Sequence, residues 1–306
     1  MVMSAWRVGA AQYPIEALAD WDAYVAKLSR WVETAAAGGA VLAVFPEYAA
    51  MELASLDPVT MGDLQGSLET VSALLPRVDA LHAELSAQHG IWLLAGSAPR
   101  KRADGRFVNT ARLFSPDGRT GYQDKLMMTR FEREDWGIVG GHGINVFATP
   151  LGRLAVLICY DSEFPLLARA AVEAGAEVLL VPSCTETLHG YWRVRIGSQA
   201  RALEGQCYAV HCPTVGDVDW SPAMDHNRGA AGIYGPPDRH LGQGFAMPCD
   251  GVLAMGEESA AQWVYADLDL ARIATLRADG GVLNTRDWAE QPGAGRLPQV
   301  TLVDLT

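Results

Sequence analysis

Between Arg153 and Pro213 the chain carries three apolar runs of strand length, RLAVLICY, EVLLVPS and QCYAVHCP, separated by amphipathic stretches of helix length. Runs this uniformly apolar do not show the alternation of a sheet with one wet face. They require strands buried on both sides, with the intervening helices as covering layers. An α/β architecture is therefore expected over at least the first two thirds of the chain.

The remaining pattern agrees. WRVGAAQYP and AVLAVFPEY read as strands, the second ending at Pro46, and IWLLAGSAP reads as a third. Trp21, Tyr24, Val25, Leu28, Trp31 and Val32 recur at helical spacing over 21–37, and a second helix is expected over 67–88. VNTARLFSPDGRTGYQDK reads as two strands joined by the turn SPDGR. Helices are expected over 163–174, closed by Gly175, and over 191–204. Beyond Ala230, short strands and Gly/Pro turns dominate. So many strands in one unit predict two sheets packed face to face with helices outside. The main domain is drawn over 1–270. Residues 271–306, with Gly293 and Gly295 near the end, are expected to form an extension or interface arm.

Composition narrows the function. With 24 Lys and Arg against 36 Asp and Glu, the formal charge is −12, which opposes binding to phosphate backbones and disfavours a nucleic-acid partner. No apolar run is long enough to cross a bilayer, so no membrane role is expected. Five cysteines at irregular spacing do not form a disulfide framework, and MVMSAWRVGAAQYP reads as a first strand, not a signal peptide. A reducing cytoplasm is the expected location.

Three polar residues interrupt or end apolar runs: Glu47 after VLAVFP, Lys125 before LMM, and Cys159 after RLAVLI. Ligands bind at the carboxyl ends of strands in α/β sheets, so three such residues can converge on one site. Singly, each has a structural reading: a small buried thiol, a solvated turn acid, a solvated turn base. Together they form a complete acyl-transfer set. The carboxylate takes the thiol proton, and the ammonium supports the thiolate and the oxyanion. A metal site from Cys207, His211 and Cys212 is disfavoured because paired ligand spacing is missing.

FPEY around Glu47, DKLMMTRFE around Lys125 and ICYDSEFP around Cys159 resemble, in order and spacing, the three signature segments of the nitrilase superfamily of carbon–nitrogen hydrolases. The resemblance runs from VGAAQ to about residue 267. It implies a four-layer α-β-β-α sandwich that pairs into a homodimer or larger homo-oligomer. It also implies Glu47 as general base, Lys125 as stabiliser of the tetrahedral intermediate and Cys159 as nucleophile. A further auxiliary acid is placed at Glu132, with Glu134 as the fallback. No metal or organic cofactor is implied.

Within that superfamily, true nitrilases commonly read Cys-Trp-Glu at the nucleophile. Here the segment is Cys159-Tyr160-Asp161, closer to the amidase branches. Ser162 and Glu163 stand where carbamoylases carry arginines for a carboxylate, and Glu163 also replaces the Arg of CYDxRFP common in amidase relatives. Pairing of Glu163 with Arg130 or Arg169, or capping of the following helix, is the expected structural role. The reaction implied is hydrolysis of a small carboxamide with release of ammonia; the alternatives are a nitrilase, an N-carbamoyl amide hydrolase or a non-catalytic binding protein of the same fold. Expected pocket walls are Tyr48, Trp136, Tyr160, Ser183, Thr185 and Trp192. Arg193 and Arg195 are expected in surface salt bridges. The segment 215–240 departs from the family pattern and is expected to shape either the entrance or a subunit contact.

Overall fold

The strands that carry the site lie in a computed structural model that describes residues 3, 5–240, 242, 244–291 and 300–303; Gly293 and Gly295 lie outside them. In chain order the elements are β1 (Ala5–Pro14), α1 (Trp21–Ala37), β2 (Leu42–Val44), α2 (Leu64–His89), β3 (Trp92–Lys101), β4 (Phe107–Phe114) and β5 (Thr120–Asp124). There follow α3 (Arg130–Glu134), β6 (Val146–Thr149), β7 (Gly152–Val156), α4 (Pro165–Glu173), β8 (Val178–Ser183), α5 (Leu188–Gly205) and β9 (Tyr208–Asp217). The last third holds β10 (His226–Asn227), β11 (Gly232–Tyr234), β12 (Arg239–His240), β13 (Phe245–Ala246), β14 (Val252–Met255), β15 (Gln262–Asp269), α6 (Leu270–Asp279) and α7 (Asn284–Asp287).

One sheet runs β15-β1-β2-β3-β4-β5, parallel at its centre through β1, β2 and β3. The other runs β6-β7-β8-β9-β11-β14, parallel through β7, β8 and β9. They join at one corner, where Tyr13 and Pro14 of β1 pair with Thr214 and Val215 of β9. The result is a nearly closed sheet flanked by helices, the four-layer α-β-β-α sandwich that the sequence implies.

Strand alternation explains the unbroken apolar runs. Val8, Ala10, Leu42, Val44, Trp92 and Leu94 face the second sheet. Their neighbours Ala11, Ala43, Leu93 and Ala95 join the layer with Leu28 and Val32 of α1 and Val71 and Val78 of α2. Each fully buried aliphatic side chain contributes about 1.5–3 kcal/mol, and both faces of every central strand are covered in this way. On the other sheet, Ala168 and Ala171 of α4 and Val194 and Ala202 of α5 form the outer cover. Helix ends are set locally: Asp20 and Asp63 cap α1 and α2, accepting from Ala23 N at 2.8 Å and Gly66 N at 3.0 Å. Leu270, Ile273 and Leu276 of α6 are buried in the core. Among the described residues, no helix is long and apolar enough to cross a membrane.

Two strands stop earlier than their apolar runs suggest. β2 ends at Val44 and β7 at Val156, so Glu47 and Cys159 sit on turns beyond them. The chain must leave the ladder there to expose side chains at the sheet's carboxyl end.

Candidate active site

Cys159 opens a 3-10 turn, Cys159–Glu163, with φ at +50°. A side chain with Cβ pays for this left-handed conformation in strain, and such residues cluster where geometry serves chemistry. Tyr48, next to Glu47, shares it with φ at +58°. A bulge in β3 at Gly96 supports that second turn. Its φ is +69°, and Ser97 N donates to Pro46 O at 3.3 Å.

The three residues singled out by sequence meet on the floor of one cavity of about 410 Å³. Lys125 Nζ donates to Glu47 Oε1 at 2.8 Å and to Glu132 Oε2 at 2.6 Å. Cys159 Sγ lies 3.8 Å from Cys184 O. Cys184 N donates to Glu47 Oε2 at 2.8 Å, so both oxygens of Glu47 are held.

Glu132 is the acid in contact with Lys125. Glu134 instead pairs with Arg130 at 2.8 Å on the surface. The choice is made by a capping box: Glu132 Oε2 accepts from Thr129 N at 2.9 Å and Thr129 Oγ1 at 3.0 Å, while Glu132 N donates back to Thr129 Oγ1 at 3.3 Å. Tyr48 OH donates to Glu132 Oε1 at 2.7 Å. The signature T-x-x-E at 129–132 was a readable signal for this residue.

The two carboxylates are driven apart electrostatically. Burial pushes Glu132 up, but Lys125, Tyr48 and Thr129 outweigh it and hold the group below its ordinary value. Glu47 is raised to about 7, chiefly by burial and further by the charge on Glu132, against the opposing pull of Lys125. Paired carboxyls with separated proton affinities mark an acid–base site. Burial, then the charge on Glu47, push the Cys159 thiol well up, with Lys125 opposing. The resting sulfur is thus a neutral thiol. Lys125 is raised well above its ordinary value: burial lowers it, but the charges of Glu132 and Glu47 prevail, so it stays an ammonium.

Two supporting residues were not identified from sequence. Asn109 Nδ2 donates to Glu47 Oε1 at 2.9 Å and Glu132 Oε1 at 3.3 Å; its signal was a polar residue inside the apolar run of β4. Asp161 carries a carboxylate that accepts from Met127 N at 2.7 Å, Leu126 N at 3.1 Å and Ile158 N at 3.1 Å. It ties the turn of Cys159 to the loop of Lys125.

Of the expected walls, Tyr48, Trp136, Tyr160 and Thr185 line the cavity, joined by Thr129, Phe131 and Cys184. Trp136 packs at 4.9 Å from the Tyr48 ring and 5.4 Å from Phe131. Ser183 and Trp192 do not line it. Strand alternation turns Ser183 into the core, where its Oγ bonds His211 Nε2 at 2.7 Å. Trp192 lies on the outer side of α5, 46% exposed, with the Arg195 guanidinium 4.5 Å from its ring. Glu163 pairs with neither Arg130 nor Arg169, whose partners are Glu134 and Glu173. It faces Arg193 at 3.4 Å, and both line the cavity. From the unusual segment 215–240, Pro222, Ala223, Asp225 and His226 reach the cavity, so this segment forms part of its wall.

The chain belongs to the carbon–nitrogen hydrolase family, whose sequence pattern matches residues 7–278. A probable hydrolase, YhcX, of Bacillus subtilis (strain 168) is 32% identical over 281 residues, which is 92% of this chain and 53% of that protein. The chain therefore spans about half the length of that relative. An aliphatic nitrilase of Sinorhizobium fredii (strain HH103) is 26% identical over 278 residues, 86% of this chain and 87% of its own. Among solved structures, a mutant of the amidase from Nesterenkonia sp. AN1 superposes with a TM-score of 0.67 at 22% identity, covering 89% of this chain and 94% of its own.

Proposed function

We propose that this chain hydrolyses the C–N bond of a small carboxamide through a thioester on Cys159, releasing ammonia. One observation carries the reading: Glu47, Lys125 and Cys159 share one cavity floor, with Lys125 held between a carboxylate that stays ionised and one that titrates near neutrality.

Glu47 takes the thiol proton as Cys159 Sγ forms a bond to the amide carbon. The carbonyl oxygen gains the negative charge, which Lys125 and the Tyr160 N–H stabilise. Glu47 returns the proton to the nitrogen, the C–N bond breaks and ammonia leaves. Water then gives a proton to Glu47 and its oxygen attacks the thioester. Collapse expels the Cys159 thiolate, which recovers the proton, and the carboxylic acid departs. Glu132 positions Lys125 and keeps its charge. The reading has support in the amidase from Nesterenkonia sp. AN1, in which a mutant shows covalent addition of the acetamide moiety of fluoroacetamide at the active site cysteine.

An ammonia-release screen over small amides, with Cys159→Ala as the blank, tests the proposal. A mass shift equal to the acyl group, lost in that variant, identifies the thioester. The nitrilase reading is favoured by relatives such as the aliphatic nitrilase of Sinorhizobium fredii. Turnover of nitriles without turnover of amides decides for it. We further read the chain as self-associating, because Leu188, Trp192, Ile196 and Leu203 leave one side of α5 exposed and apolar. A monomer mass by light scattering removes that reading.

A further inference from the structure

We infer that Glu163 selects carboxamides bearing a cationic group, an ammonium or an amidinium, beyond the scissile amide; this rests on the amidase reading above. Glu163 closes the same 3-10 turn that Cys159 opens, and its side chain lines the same cavity. A substrate held at Cys159 therefore shares its cavity with this carboxylate.

Glu163 is under-paired for its burial. Its side chain is only 20% exposed, yet its one ion pair is a single contact of 3.4 Å to Arg193 Nε. The surface pairs Arg130–Glu134 and Arg169–Glu173 close to 2.8 Å. No other donor reaches the Glu163 carboxylate among the described residues. Burial raises its proton affinity, with Arg193 and then Lys125 opposing incompletely. A half-desolvated carboxylate short of donors is stabilised by a charged N–H donor brought in by a ligand.

The opposite assignment, a substrate carboxylate held by Arg193, is weaker on the same observations. The Arg193 side chain is 60% exposed, and ion pairs made by well-hydrated groups add little. The cavity lining also carries Glu186 and Asp225, and His226, whose ring contacts Asp217 at 2.9 Å and is thereby favoured as a cation. Acidic side chains still outnumber basic ones in this lining, so an anion is opposed and a cation is drawn in. Arg193 pairs with Glu163 at 3.4 Å and yields to the substrate cation.

The test compares kcat/KM for ω-amino alkanamides (glycinamide, β-alaninamide, 4-aminobutanamide) with the neutral alkanamides of equal length and with ω-carboxyl alkanamides. At least one amino amide is expected to exceed its neutral counterpart by about tenfold or more, through KM more than through kcat. Rising salt narrows the gap. Glu163→Gln removes the preference, and Glu163→Lys turns it towards the carboxyl series. Equal rates for amino and neutral amides in the wild-type protein overturn the inference, and so does a carboxyl preference that Arg193→Gln abolishes. Either result leaves the amidase reading standing. Failure to turn over any amide above the Cys159→Ala blank removes that reading first.

Discussion

Asp161 accepts the Met127 N–H at 2.7 Å and thereby fixes the turn of Cys159 against the loop of Lys125. Its carboxylate also holds the N–H groups of Leu126 and Ile158. Asp161→Ala leaves these buried donors unpaired, at about 1–3 kcal/mol each. Urea unfolding should show a loss of several such units, and kcat should fall by about a hundredfold as Lys125 and Cys159 lose register. Asp161→Asn keeps an acceptor and should lose less of both. Wild-type activity in Asp161→Ala shows that the tie is dispensable.

Gly96 sets the place of Glu47. With φ at +69°, an added Cβ would lie 1.9 Å from Pro46 O. Gly96→Ala must therefore push the Pro46–Tyr48 turn away from β3. We expect a loss of about 1–3 kcal/mol in stability from the conformation alone. The fall in kcat should exceed what the folded fraction explains. A variant with full kcat and lowered melting temperature would confine Gly96 to a stability role.

Glu47 is raised to about 7, by burial first. The proposed mechanism requires it ionised as the base, so kcat/KM should rise with pH and level off above about 7. The same group acts on stability with the opposite trend. Its folded-state value lies above its unfolded one, so the folded chain binds the extra proton in the window from about 4.5 to about 7. Its contribution is complete below that window and is lost as pH rises through it. Glu47→Gln should flatten both profiles. An acid limb near the ordinary carboxylate value would contradict the assignment.

Glu132 bears on Glu47 through charge. Its carboxylate raises the proton affinity of Glu47 and offsets Lys125. Glu132→Gln leaves the Lys125 ammonium less compensated, so the acid limb of the residual activity should move down by on the order of one pH unit. A merely structural role for Glu132 lowers the rate without moving the limb.

Much of this arrangement was legible beforehand. The runs RLAVLICY, EVLLVPS and QCYAVHCP demanded strands covered on both faces, and β7, β8 and β9 overlap them, β7 ending short of its run at Val156. α1 matches its periodic residues from Trp21 to Ala37. Glu47, Lys125 and Cys159 stood out because each broke an apolar pattern that burial would otherwise have continued. The Thr129–Glu132 capping box was also present in the letters.

What lay outside the sequence's reach were relations between distant segments. Asn109 and Asp161 act only because folding brings β4 under Glu47 and the Cys159 turn against the Lys125 loop. Ser183 is an expected pocket wall by sequence, but alternation along β8 points it at His211. Glu163 had nearer arginines in the chain, yet α5 brings Arg193 across the cavity. Local patterning along the chain determines which segments must be strand or helix and which residues are too polar to be core, because burial and backbone geometry act on near neighbours. The choice of partner for each polar group depends on the packing of the two sheets. Only tertiary structure decided that Lys125 lies between Glu47 and Glu132, and that Cys159 rests as a thiol beside them.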